Sequence, residues 1–114
     1  MVIGIGVDLV DLVRFRKVVQ TKNFLQKYFS EEEITLNITS LAGRFAAREA
    51  FYKALDRKEL FKFSEIKIVN AANGHPLIVL SGRIEEHFKE KSIQLSISHT
   101  KDYAVSFVII ESKN

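Results

Sequence analysis

The chain is 114 residues long, 46% hydrophobic and 27% charged, with a formal net charge of +3 and no cysteine. That length supports one modest core and one domain, residues 1–114, and the cysteine count excludes a disulfide framework or thiolate metal site and fits a reducing, cytoplasmic setting. No apolar run approaches the ~18 residues that span a bilayer, and Asp8 and Asp11 break the apolar N-terminus with no basic segment before it, so neither a membrane anchor nor a signal peptide is expected.

Val2 to Val10 reads as a strand, with Ile3, Ile5 and Val7 on one face and Gly4, Gly6 and Asp8 on the other. Glycines inside a strand mark close approach of a backbone or a ligand, here just where an acid projects. Asp8 or Asp11 can equally cap the helix that follows, Asp11 to about Gln20. Leu12, Phe15 and Val19 face inward on that helix, while Arg14, Arg16, Lys17 and Lys22 face outward. A short aromatic helix or turn spans Asn23 to Phe29, and Ser30-Glu31-Glu32-Glu33 has the form of a capping box with an acidic first turn.

A long helix is expected from Thr39 through Lys58, dense in alanine and leucine. At 100° per residue Leu41, Phe45 and Tyr52 form one ridge, flanked by Ala42, Ala46 and Ala50. Glu49 and Lys53 stand one turn apart on the alanine-lined side, where an i,i+4 ion pair is the simplest reading. Strands at Glu65–Ala71 and Leu77–Leu80 flank an Asn73-Gly74 turn. A short amphipathic helix runs from Ser81 or Gly82 to about Lys91, with Ile84 and Phe88 inward. The last strands, Ile93–His99 and Tyr103–Ile110, turn near Lys101-Asp102, and His99 ends the row Ile93, Leu95, Ile97. The order β-α-α-α-β-β-α-β-β predicts an α+β fold, a small, largely antiparallel sheet wrapping the long central helix.

Taken singly, Asp8, Glu49, Lys53 and His99 each have a structural explanation. In order, Ile5-Gly6-Val7-Asp8-Leu9 with Arg14, Phe45-Ala46-Ala47-Arg48-Glu49-Ala50 with Lys53, Asn73-Gly74-x-Pro76, and Ser96-Ile97-Ser98-His99-Thr100 closely resemble the holo-acyl-carrier-protein synthase family. These are the small, single-half branch of the 4′-phosphopantetheinyl transferases, and the resemblance covers nearly the whole chain.

The resemblance implies a phosphopantetheinyl-transferase-like fold. The implied reaction moves the phosphopantetheine arm of coenzyme A to a serine of apo acyl carrier protein, for fatty acid biosynthesis, releasing adenosine 3′,5′-bisphosphate. A diphosphate repels an oxygen nucleophile until a hard cation neutralises it, and Mg2+ binds through one or two carboxylates plus substrate phosphates and water. Asp8 and Glu49 match the family's ligands for Mg2+ (or Mn2+), and Lys53 matches a lysine that contacts phosphate. Glu49, directly or through a coordinated water, is the expected acceptor of the serine proton. Arg44 and Phe45 match residues of the coenzyme A site, as do Asn73, Gly74 and Pro76 in a loop over the adenosine end. His99 and Thr100 match positions near the nucleotide and its phosphates. Arg14, with Arg16 and Lys17, matches a basic face for the acidic carrier protein, where charge chiefly speeds encounter. Because larger members contain two similar halves, the resemblance implies a homotrimer with interfacial sites.

The chain departs from the family after Lys53-Ala54, where Leu55-Asp56-Arg57-Lys58 replaces a glycine-rich turn. Either the helix runs on, or Arg57 and Lys58 supply phosphate contacts. Those missing glycines also leave a carrier-binding protein with weakened catalysis as an alternative. A nucleic-acid module is a third reading, but no DNA- or RNA-binding signature appears and the basic residues form no stripe, so neither nucleic acid nor membrane is an expected partner.

Overall fold

The computed structural model describes residues 1–58 and 61–113. The elements are β1 (Val2–Asp11), α1 (Leu12–Val18), α2 (Phe24–Tyr28), α3 (Glu31–Ile34), α4 (Ile38–Ala54), β2 (Ile66–Asn70), β3 (Pro76–Leu80), α5 (Gly82–His87), β4 (Lys91–His99) and β5 (Tyr103–Ser112). The class is α+β and the pairing antiparallel, as expected. The strands divide into two sheets rather than one, β1-β5-β4 and the hairpin β2-β3.

Among the described residues four α-helices precede β2, not three, because the Ser30 capping box closes on a helix of its own: Ser30 Oγ accepts from the Glu33 N–H at 3.3 Å and Glu33 Oε1 from the Ser30 N–H at 3.0 Å. Helix α4 begins after Asn37, whose side chain accepts from the Ser40 N–H at 2.9 Å, and ends at Ala54 rather than Lys58. Leu55 turns extended there and buries its side chain in the core beside Phe51 and Ile66. Lys58 Nζ then donates to the Leu55 carbonyl at 2.9 Å, satisfying an acceptor that a continued helix would have used. Helix α5 likewise stops at His87, short of Lys91, where β4 begins.

What sets the site is how closely β1 lies on α4. Gly4 and Gly6 face the helix, and a Cβ at either would overlap a carbonyl oxygen, Ala54 for the first and Ala50 for the second. On the helix side the contact is made by alanines: Ala42, Ala46, Ala47 and Ala50 are fully buried. The buried ring of this segment is Phe51, not Tyr52, which is exposed; Phe51 packs with Phe61 and Phe88 on a second face of α4 that the single-ridge reading missed. Ser106 of β5, also fully buried, donates its hydroxyl to the Gly43 carbonyl at 2.9 Å and ties sheet to helix.

The other face of β1 and its neighbour is apolar yet uncovered. Ile3, Ile5, Val7 and Leu9 of β1 and Tyr103 and Phe107 of β5 are 42–63% exposed. At the end of β1, Asp11 rather than Asp8 caps α1, accepting from Val13 N–H at 2.9 Å and Arg14 N–H at 3.3 Å. Helix α1 stops at Val18, with Leu12 and Phe15 buried.

Candidate functional site

With capping assigned to Asp11, Asp8 follows Gly4 and Gly6 on the α4-facing side of β1 and meets the helix where Lys53 emerges. Lys53 Nζ lies 2.9 Å from Asp8 Oδ1 and 3.1 Å from the Val7 carbonyl oxygen. The lysine therefore does not pair with Glu49 one turn earlier, and Glu49 has no hydrogen-bond or ion-pair partner among the described residues. Burial raises the pKa of the Glu49 carboxyl, the Asp8 charge raises it further, and Lys53 offsets part of the effect.

Two carboxylates thus share one neighbourhood with a single cation that is already committed. Both open into a groove of about 420 Å³, whose apolar walls include Val10, Phe15, Phe24 and Phe45 and which Arg14 also lines. Among the described residues no group of three or more His, Cys, Asp or Glu side chains gathers anywhere as a metal site. The Asp8–Glu49 pair is chemically sufficient only for an ion that draws its other ligands from water or substrate oxygen, which is the habit of Mg2+.

A second cleft, of about 430 Å³, lies on the other flank of α4, lined by Gly43, Arg44, Asn70, Gly74, Pro76 and His99 among others. Its hairpin tip is held by the Ala71 N–H to His75 carbonyl bond and the Gly74 N–H to Ala71 carbonyl bond, both 2.8 Å. Gly74 has φ of 88°, which the turn requires, and Asn73 braces it by accepting from the His75 N–H at 2.9 Å. Arg44 Nη1 donates to the Ile68 carbonyl of β2 and to Glu33 Oε2, the latter at 3.3 Å.

Of the expected coenzyme A binders, Phe45, Lys53, Asn73 and Thr100 do not line this cleft: Lys53 is bonded to Asp8, and Asn73 braces the hairpin turn. Phe45 lies in the carboxylate groove, packed in an aromatic group with Phe15, Phe24 and Tyr28, and does not line the Arg44 cleft. Thr100 shapes the β4–β5 turn, its hydroxyl accepting from the Asp102 and Tyr103 N–H groups at 3.2 and 3.1 Å. Arg14, Arg16 and Lys17 are exposed along α1. Past the end of α4, Arg57 and Lys58 are exposed as well, and Lys58 sits 5.4 Å from the Tyr52 ring centre.

Sequence reasoning missed the most buried charges. Glu33 and Arg48 are 4% and 3% exposed and form a two-pronged pair, at 2.7 and 3.2 Å, with Arg44 joined to it. Arg44 and Arg48 stand one turn apart on the same flank of α4, which was the available signal.

A family model of the 4′-phosphopantetheinyl transferase superfamily matches residues 4–108, a span that includes both clefts. The chain is 36% identical to the holo-acyl-carrier-protein synthase of Clostridium tetani, over 99% of this chain and 98% of that one, and 39% identical to that of Leifsonia xyli, over 97% and 98%. The chain belongs to the holo-acyl-carrier-protein synthase family. Two solved members of that family share its fold closely. The Bacillus anthracis synthase, in complex with coenzyme A (3′,5′-ADP), superposes with a TM-score of 0.81 at 33% identity, covering 98% of both chains. The Helicobacter pylori synthase, in complex with coenzyme A, gives 0.83 at 35% identity, over 94% of this chain and 99% of that one. Against that fold, the wrapped α4 and the Gly4–Gly6 approach are the features by which this synthase-family chain brings Asp8 to Glu49.

Proposed function

We propose that this chain transfers the 4′-phosphopantetheine group of coenzyme A to a serine of apo acyl carrier protein, in a Mg2+-dependent reaction that serves fatty acid biosynthesis in the cytoplasm. The observation that carries it is the meeting of Asp8 and Glu49 in one groove, with Lys53 bonded to Asp8, together with a family match over residues 4–108. Asp8 and the unpaired Glu49 would hold the ion. When bound, Mg2+ (or Mn2+) supplies positive charge that lets an oxygen nucleophile approach a diphosphate.

The chain's own groups do the rest. The serine oxygen forms a bond to the phosphorus that carries pantetheine, and the bond from that phosphorus to the oxygen of the departing nucleotide breaks. Lys53, half-exposed and anchored on Asp8, offsets charge on the leaving phosphate. Glu49 takes the serine proton. In the other cleft, Arg44 and His99, with the Gly74–Pro76 hairpin tip, bind the nucleotide end of coenzyme A.

The two clefts share no lining residue, and α4 stands between them, with β1 and β4 on opposite sides of β5. A ligand reaching from Arg44 to Asp8 of one copy must cross that helix. Pairing the groove of one copy with the cleft of another removes the obstacle, and the uncovered apolar face of β1 and β5 supplies the contact surface for a homotrimer. Arg14, at the groove, with Arg16 and Lys17 farther along α1, receives the acidic carrier.

The test is direct: incubate the protein with apo carrier and coenzyme A, with Mg2+ or with chelator. Mass gain on the carrier serine and release of adenosine 3′,5′-bisphosphate are expected only with metal. Tight carrier binding with no transfer under any divalent ion would leave a binding protein instead.

A further inference from the structure

We propose that Glu33 is a positioning residue for the nucleotide cleft: locked by Arg48, its buried carboxylate fixes the Arg44 guanidinium at the cleft wall with donors left over for the phosphates of coenzyme A. The inference rests on the transferase reading above and adds to it a residue from a different helix.

Glu33 spends all of its acceptor capacity internally. Oε1 receives Arg48 Nη2 at 2.7 Å and the Ser30 N–H at 3.0 Å; Oε2 receives Arg48 Nη1 at 3.2 Å and Arg44 Nη1 at 3.3 Å. The fork of Arg48 sets the plane of the carboxylate, and that plane decides where Oε2 can meet Arg44. Arg48 is itself held, its Nε donating to the Ile66 carbonyl at 3.3 Å, so the lock is anchored on β2.

Arg44 stands differently. It is bound through Nη1 alone, to Glu33 and to the Ile68 carbonyl, and its side chain keeps 15% exposure at the cleft. Its Nε and Nη2 hydrogens have no partner among the described residues. A guanidinium held at one nitrogen with its other donors unused is preorganised for an anion, having lost its rotamer freedom before the ligand arrives. The same bond to Ile68 ties α4 to the strand that leads to the Gly74–Pro76 tip, so it also sets the spacing of the cleft's two walls.

A purely structural ion pair would not care which substrate is varied. Steady-state transfer is therefore measured against coenzyme A and against apo carrier for Glu33→Gln, with binding of adenosine 3′,5′-bisphosphate measured by calorimetry. Because that variant leaves Arg48 buried without its counter-charge, Glu33→Gln/Arg48→Met, which removes both charges, is measured beside it. The expected result is a KM for coenzyme A and a Kd for the nucleotide raised on the order of tenfold, with the carrier KM moved far less. Adding Glu33→Gln to Arg44→Ala should then weaken nucleotide binding no further. Active variants with an unchanged coenzyme A KM, a uniform fall in turnover alone, or additive losses with Arg44→Ala would overturn the positioning role while the transferase reading stands. A wild-type protein that neither binds coenzyme A nor labels the carrier would overturn both.

Discussion

Helix α4 carries two acid–base clusters, and they differ in a way that separates scaffold from site. On one flank Arg44 and Arg48 share the carboxylate of Glu33; on the other Glu49 and Lys53 share a neighbourhood with Asp8. The first has two cations to one anion, is buried, and uses both oxygens of its acid. The second has two anions to one cation, is half-open, and leaves Glu49 unpaired. Burying charge without full pairing is costly, so a chain keeps an unbalanced cluster only where solvent still reaches it or a ligand completes it. The saturated Glu33–Arg48 fork belongs to the framework, with Arg44 as its spare cation at the cleft wall, and the deficit of positive charge in the second cluster fits the cation that the proposed reaction requires.

The sharpest way to break this comparison is to exchange the expected phenotypes. Arg48→Ala removes the two-pronged partner of buried Glu33, leaving it only Arg44 and the Ser30 N–H, and should lower stability by about 3 kcal/mol, read from urea unfolding. Glu49→Gln should leave the fold intact and reduce transfer on the order of 10²–10³-fold, read as carrier labelling at saturating substrates. A stable, less active Arg48→Ala together with an unfolded Glu49→Gln would invert the assignment.

Next in size is Gly6→Ala. Its methyl would overlap the Ala50 carbonyl oxygen, so β1 must lift away from α4, at about 1–3 kcal/mol by analogy with overpacked cores. Since Asp8 lies two residues along the same face, transfer should fall by more than the lost folded fraction explains. An alanine there that changes neither quantity would mean the close approach does not set the open cluster.

These cases also show what the sequence could reveal. The alternation of Gly4, Gly6 and Asp8 announced a close approach, the Ser30 box and Asn73-Gly74 announced a helix start and a turn, and all three are local. Lys53 paired instead with a residue 45 positions away rather than with Glu49 one turn back. Helical spacing lists neighbours on the same helix and is blind to the strand laid across it. The same blindness hid Glu33–Arg48, a partnership across 15 positions, and the choice of Phe51 over Tyr52, which depends on α4 being covered on more than one side. Leu55 ended the helix by entering the core, an event no glycine or proline announced. The unburied apolar face of β1 was equally invisible, since alternation gives the two faces of a strand but not which one is covered.

A smaller effect is expected at the rim of the open cluster. Arg14 lines the groove that leads to Asp8 and Glu49, and reversing its charge should oppose an acidic carrier without touching the nucleotide cleft. Arg14→Glu should raise the carrier KM by about three- to tenfold at low salt, less at high salt, with the coenzyme A KM nearly unchanged. Equal loss on both substrates would place the residue in the fold rather than at the docking face.

The finest test uses protons. Burial alone would push Glu33 upward, but Arg48, the Ser30 N–H and Arg44 overcome it and hold the carboxyl below its usual range. Its contribution to stability is therefore present above the ordinary carboxylate pKa and lost as pH falls through the lowered folded value. Glu49 runs the other way. Burial and Asp8 raise it, so the folded state binds that proton more tightly than the unfolded chain, and stability declines as pH climbs from the ordinary value through the raised one. Urea midpoints taken from about pH 3 to pH 8 in the absence of divalent ions should show Glu49→Gln more stable than wild type at neutral pH and Glu33→Gln less stable, both differences shrinking in acid. Two differences of the same sign at neutral pH would mean that the clusters carry the same electrostatic balance, and the open one would lose its claim to be the site.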